Sequence, residues 1–141
     1  MKSTIVFCAF FFLFTTSLLA QSPIGVWKTI DDKDGQASSH IEIYDVNGKL
    51  HGKVIKLLQD PEDSVCQECS GDKKNQPIIG MEVLWNLKKY KDYWSYGKVL
   101  DPENGKTYKC NLKMEGEDRL TLRGYIGFAA LGRNQTWHRV K

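Results

Sequence analysis

Cys66 and Cys69 stand three positions apart in the polar stretch Asp63-Ser64-Val65-Cys66-Gln67-Glu68-Cys69-Ser70-Gly71. That spacing serves a dithiol redox centre, half of a zinc site or a small disulfide. A redox pair needs its first sulfur at a helix N-terminus, where the macrodipole and free amides stabilise the thiolate. Here Glu62, Asp63 and Glu68 surround the pair with negative charge, and Gly71 and a polar loop follow instead of a helix. Zinc takes four ligands, and the set would be Cys66, Cys69 and Cys110 with His51 or His40. A lone CxxC with no second pair is a weak metal signal, and an exported chain meets conditions that oxidise thiols. A disulfide is therefore the preferred reading, with no metal and no cofactor assigned. Its pairing stays open between Cys66–Cys69, which closes a very small ring, and a bridge from either of them to Cys110. The local pair is taken first, because Cys110 falls in an apolar row with Leu112 and Met114, where a free thiol is comfortable.

Other groups capable of chemistry do not assemble into a pattern. His40, His51 and His138 share no informative spacing; His40 and His51 read as surface residues, and Trp137 and His138 must face opposite ways on one strand. No Gly-x-Ser-x-Gly turn is present, and Gly124-Tyr125-Ile126-Gly127 sits in a strand pattern where a phosphate loop would have to open a helix. No catalytic residue is assigned. Asn134-Gln135-Thr136 fits the glycosylation triplet, and the physical use of Asn134 is to leave the Gly132 turn.

The aromatics carry more information. Trp85, Tyr90, Tyr93, Trp94 and Tyr96 crowd residues 85–96 and are the ligand-binding candidates, the place for an apolar or carbohydrate-binding mouth. The competing use of the same side chains is to fill a core.

The elements that would position these residues are strands. Apolar residues recur with period two, and turn signals separate the runs. Gly25 to Ile30 is a first strand and His40 to Val46 a second, followed by Asn47-Gly48, a strong hairpin signal because both residues tolerate positive φ. Lys49 to Leu58 returns, and residues 59–77 form one long irregular connection holding both cysteines. Ile78 to Leu84 resumes the pattern, with Trp85 to Lys89 read as a brief helical turn. Tyr93 to Leu100 precedes the turn Asp101-Pro102-Glu103-Asn104-Gly105. Tyr108, Cys110, Leu112 and Met114 then share one face, and Leu120, Leu122, Gly124, Ile126 and Phe128 are the next inner row. Asn134 to Val140 is the last strand. About eight antiparallel strands in so short a chain predict an all-β fold, a small up-and-down β-barrel whose closure removes exposed edges. A two-sheet β-sandwich is the alternative.

The chain opens with Met1-Lys2, a hydrophobic stretch from Ile5 onward and Leu18-Leu19-Ala20 before a polar pair, which reads as a signal peptide over residues 1–20. Residues 21–141 are then a single barrel domain, exported to the periplasm or secreted, without a transmembrane segment. A formal charge of +3, with lysines and acids interspersed, gives no stripe for nucleic acid.

Gly25-Val26-Trp27, Ile79-Gly80, Asp101 to Tyr108, Leu122-Arg123-Gly124-Tyr125 and Gly132 to Trp137 come in an order that resembles the exported bacterial proteins of domain-of-unknown-function family 2147. That resemblance spans nearly all of residues 21–141 and implies a barrel of lipocalin or fatty-acid-binding outline, with no catalytic residues to carry over. Gly25-x-Trp27 with Arg139 is similar to the lipocalin arrangement of a first-strand tryptophan under a late arginine. The function expected is a non-enzymatic barrel that binds a small apolar or amphipathic molecule. An envelope structural or protein-interaction module is the alternative, with zinc binding or thiol redox activity behind it.

Overall fold

A computed structural model describes residues 21–128 and 132–141. The expected signal peptide lies outside the described residues. Eight strands follow in chain order: β1 (Gly25–Ile30), β2 (Ala37–Val46), β3 (Lys49–Leu57), β4 (Glu82–Tyr90), β5 (Tyr93–Asp101), β6 (Lys106–Met114), β7 (Arg119–Tyr125) and β8 (Arg133–Arg139). Each pairs antiparallel with the next, and β1 returns to β8 through Trp27 opposite Arg139. The sheet is thus a closed up-and-down barrel, and the sandwich reading is excluded by the β1–β8 ladder.

Local chemistry sets the turns. Asn47 at φ 53° and Gly48 at φ 82° form the hairpin their types favour, with the Gly48 amide donating to Asp45 Oδ1 at 3.1 Å. At the β5–β6 turn the Glu103 amide donates to Asp101 Oδ1 at 2.9 Å and Gly105 takes φ 71°. The alternation of β6 holds, since Cys110, Leu112 and Met114 are buried between exposed lysines.

Several sequence expectations change. Trp85 to Lys89 is not helical but lies within β4; Asn86 at φ 62° makes a bulge facing a second one at Tyr96, also at φ 62°. β2 starts at Ala37, ahead of His40. The fourth strand starts at Glu82, not Ile78, because Gly80 turns at φ 89° and the Ile78 amide donates to the Ser64 carbonyl within the irregular segment. Ile126 and Phe128 keep the parity of the β7 inner row but are 67% and 79% exposed, since the strand ends at Tyr125 and Gly127 turns at φ 80°.

The barrel has two unlike ends. The Asn47-Gly48, Lys91-Asp92 and 115–118 turns lie at one end, together with the start of β1 and the end of β8. At the other lie the 31–36 turn, the irregular segment 58–81, the 102–105 turn, the end of β7 and the start of β8. Trp27, Trp137, Leu112, Leu120 and Leu87 fill the first end at 0–2% exposure. Arg139 plugs it: its guanidinium lies 4.4 Å from the Trp27 ring centre and donates to the carbonyls of Ile24 at 3.0 Å, Ser22 at 2.7 Å and Glu117 at 2.8 Å. Trp27 Nε1 donates to the Pro23 carbonyl at 2.8 Å. Gly25 is needed there, because a Cβ would come within 2.6 Å of Arg139 Nη1.

Candidate functional site

The inward row changes character along the barrel axis. Ladder pairs Val99–Tyr108, Cys110–Gly124 and Leu122–Gln135 fix which residues face inside near the second, open end. Val99, Tyr108, Gly124 and Gln135 are only half-buried there, as are Ser39 and Leu57 across the barrel. Gly124 leaves space in this wall: a Cβ on it would meet nothing closer than Tyr108 Cβ at 3.6 Å and Val99 Cγ1 at 3.9 Å.

Polar groups ring the same end. Thr29 Oγ1 lies 2.7 Å from both Ser38 Oγ and Ser39 Oγ. Gln135 accepts from Trp137 Nε1 at 3.3 Å and donates to Asp32 at 3.3 Å, while Arg133 pairs with Asp32 at 3.0 Å. Asn104 donates to the Tyr108 hydroxyl at 3.0 Å. Together these residues give this end, the vestibule, a half-buried inner lining with hydrogen-bonding groups at its rim.

Cys110 lies on the inner face between Gly97 and Gly124, fully buried. Burial pushes its thiol up to about 12, which makes it an inert packing group at neutral pH. Cys66 and Cys69 form a disulfide and Cys110 is free, so the local pairing holds and the long bridge is excluded. The bridge also removes two of the thiolates a zinc set would need. Its loop is folded on itself and pressed against the outside of the barrel, beside the mouth. The Cys66 amide donates to the Gln76 carbonyl and the Asn75 amide to the Cys66 carbonyl, both at 2.8 Å. Cys66 Sγ lies 3.5 Å from the Pro102 carbonyl oxygen, and a Cβ on Gly105 would sit 1.8 Å from the Glu68 carbonyl. This cover explains Leu100, which follows the inward Val99 and so faces out, yet is 6% exposed.

The five aromatic candidates are divided. Trp94 is in the core at 8% exposure, with Lys89 over its ring at 4.5 Å. Trp85 is outside, half-buried beneath Lys73 Nζ at 4.4 Å. Tyr90, Tyr93 and Tyr96 come together on the outer surface of the β4–β5 hairpin, with Tyr90 edge-on to Tyr93 at 5.5 Å and to Tyr96 at 6.4 Å. The vestibule residues were missed by sequence reasoning, because half-burial on an inner face depends on register across the whole barrel.

His51 departs from its surface assignment. Its side chain is 16% exposed, with Nδ1 2.6 Å from Glu82 Oε1 and its ring stacked 6.0 Å from Tyr44. An open cleft of about 360 Å³ lies next to Glu82, lined by Lys73, Gln76, Pro77 and Met81. His40 is half-buried, and its imidazole is held below the ordinary range by burial, then by Lys56 and Lys28. Trp137 points inward at 2% exposure and His138 outward, as alternation requires. Among the described residues no three His, Cys, Asp or Glu side chains converge as a metal site would need. Among them, no helix is long and apolar enough to cross a membrane.

A closed eight-stranded barrel with a tryptophan–arginine plug at one end and a vestibule at the other has the lipocalin form. Residues 25–139 match the family described as uncharacterized protein conserved in bacteria, DUF2147, and the chain belongs to it. Its structure is similar to that of protein HP1028 from the human pathogen Helicobacter pylori, a member of the lipocalin family. The two share 21% identity with a TM-score of 0.76, over 85% of this chain and 84% of that one. No curated protein matches the sequence.

Proposed function

We propose that this protein is an exported, non-enzymatic lipocalin-like carrier that takes a small amphipathic molecule into the open end of its barrel. The observation that carries the reading is the change along the inner face from a fully buried apolar floor to the half-exposed wall of Val99, Tyr108, Gly124 and Gln135. The apolar part of a ligand would lie against Val99 and Leu57. Its polar end would meet Thr29, Ser39 and Gln135 at the rim, where hydroxyl and amide groups fix orientation. The floor is occupied by tryptophan and leucine side chains, so the ligand is short. The alternative of a partner-binding face built from Tyr93, Tyr125 and Trp137 loses Trp137 to the core.

The test is titration with the fluorescent apolar probe N-phenyl-1-naphthylamine, followed by displacement with short-chain fatty acids and alkyl alcohols. Saturable binding is expected, weakened at least tenfold in Gly124→Leu, which fills the vestibule without backbone strain and leaves the thermal midpoint nearly unchanged. Absence of saturable binding, or equal binding by the variant, overturns the reading.

A further inference from the structure

The hairpin of β4 and β5 holds a backbone irregularity with Asn86 and Tyr96 both at φ 62°. Trp94 and Gly97 both face inside, opposite Leu112 and Cys110, so Ser95 and Tyr96 are left outward together. Tyr96 sits at φ 62°, where a bulky side chain is strained, and it is 69% exposed. Inside, the irregularity seats Gly97 beneath the buried Leu87; outside, it turns a third phenol into the cluster with Tyr90 and Tyr93. Tyr93 links this cluster to an open cleft of about 270 Å³ on the outer face of β5 to β8, lined by Asn111, Lys113, Thr121, Arg123 and Asn134.

The lining chemistry is specific. Ser95 Oγ donates to Asn111 Oδ1 at 2.7 Å, which leaves the Asn111 NH2 group to donate outward. Arg123 Nη1 donates to Asn134 Oδ1 at 2.7 Å, leaving the Asn134 NH2 in the same state. Lys113 is 4.0 Å from Asp92, and Arg123 is engaged with Asn134, so both cations that line the cleft already have partners. Flat phenol rings, outward amides and a hydroxyl, in a shallow cleft whose cations are already paired or hydrogen-bonded, match a ligand with apolar C–H faces and many neutral hydroxyls. Such a ligand is a sugar chain. A lipid would need a deeper apolar groove, and an anion would need uncompensated cations.

We infer that the outer face around Tyr90, Tyr93 and Tyr96 and the adjoining cleft of Asn111, Thr121 and Asn134 is a binding site for neutral oligosaccharide. The site is separate from the vestibule, on the opposite surface of the barrel wall: Arg123 and Asn134 face out where their neighbours Gly124 and Gln135 face in. The tyrosines stack on sugar rings, and the asparagine amides donate to the hydroxyls.

Cellotetraose, maltotetraose and chitotetraose serve as probes, followed by NMR of the tyrosine ring signals at up to about 10 mM, which covers sites with Kd near 1 mM. At least one is expected to shift the Tyr93 and Tyr96 signals saturably. Tyr93→Ala and Tyr96→Gly should each weaken that binding about five- to tenfold. Tyr96→Gly should keep or raise the thermal midpoint, because glycine takes this φ without strain. The inference is overturned if none of the three probes shifts these rings, or if both variants bind as the parent does. It is also overturned if the ring signals move with protein concentration alone, which would give the surface to a second copy of the chain.

Discussion

The two ends of the barrel solve the problem of closure by different means. At the Arg139 end, one cation over one indole gathers three carbonyls from two chain segments, and Trp27, Ile43, Leu112, Leu120 and Trp137 are buried there. Hydrophobic burial holds that end, and it scales with the apolar area removed from water. At the vestibule end the inner wall is half-exposed, and cohesion comes from outside the barrel. A folded loop with an internal disulfide is pressed onto the β5–β6 turn, and Lys73 spans the Trp85 ring and the Glu82 carbonyl at 3.0 Å. The difference separates two kinds of cohesion: one end is sealed by buried core side chains, and the half-buried end is braced by parts that are not core.

The separation is broken most directly at Trp27. Trp27→Ala removes a fully buried indole, leaves Arg139 over a cavity and strands the Pro23 carbonyl. A loss of about 3–5 kcal/mol is expected, read as a lower urea midpoint with an unchanged slope. A smaller, local effect is expected from Gly105→Ala. The new methyl would stand 1.8 Å from the Glu68 carbonyl on a backbone at φ 71°, so the cysteine loop must lift by the width of the clash. The cost should be about 1–3 kcal/mol. Hydrogen exchange should quicken at the Cys66, Asn75 and Ile78 amides while Leu112 and Leu120 stay protected. If exchange quickens equally throughout the barrel, the two ends are one cooperative unit and the comparison fails.

Much of this division could be read before the structure. Period-two alternation in β6, the Asn47-Gly48 pair and the Asp101 to Gly105 turn are local signals, and each produced the element it predicts. The tryptophan–arginine plug followed from the resemblance carried by Gly25, Trp27 and Arg139. What stayed hidden depends on register or on backbone signs. A bulge against β3 restores alternation one residue late, so Trp85 to Lys89 imitated a helical turn when Asn86 had only shifted the strand's parity. Ile126 and Phe128 have the right spacing and hydrophobicity for an inner row, but the strand ends at Tyr125 and Gly127 turns the chain away. The vestibule has no motif, because Ser39, Val99, Tyr108 and Gln135 come from four different strands and meet only once the barrel closes.

The disulfide should give the smallest effect, and it tests whether the brace acts by covalent linkage or by fit. Cys66 and Cys69 are three residues apart, so the link restrains little of the unfolded chain; loop-closure entropy for so small a ring is worth about 2 kcal/mol at most. Replacing both with serine also puts a hydroxyl where Cys66 Sγ lies 3.5 Å from the Pro102 carbonyl, and that hydroxyl can donate to it. The hydrogen bond offsets part of the loss, while burying the second hydroxyl, at a position 3% exposed, adds to it. The expected fall in thermal midpoint is about 5 °C, well short of the Trp27→Ala effect. Probe binding in the vestibule should persist, because the loop packs outside the wall and the ladder between Gly97, Cys110 and Gly124 is untouched. A fall comparable to that of Trp27→Ala would show that the covalent link carries the open end. Loss of bound zinc from the purified protein on the same substitution would show that these sulfurs act as ligands and not as a brace.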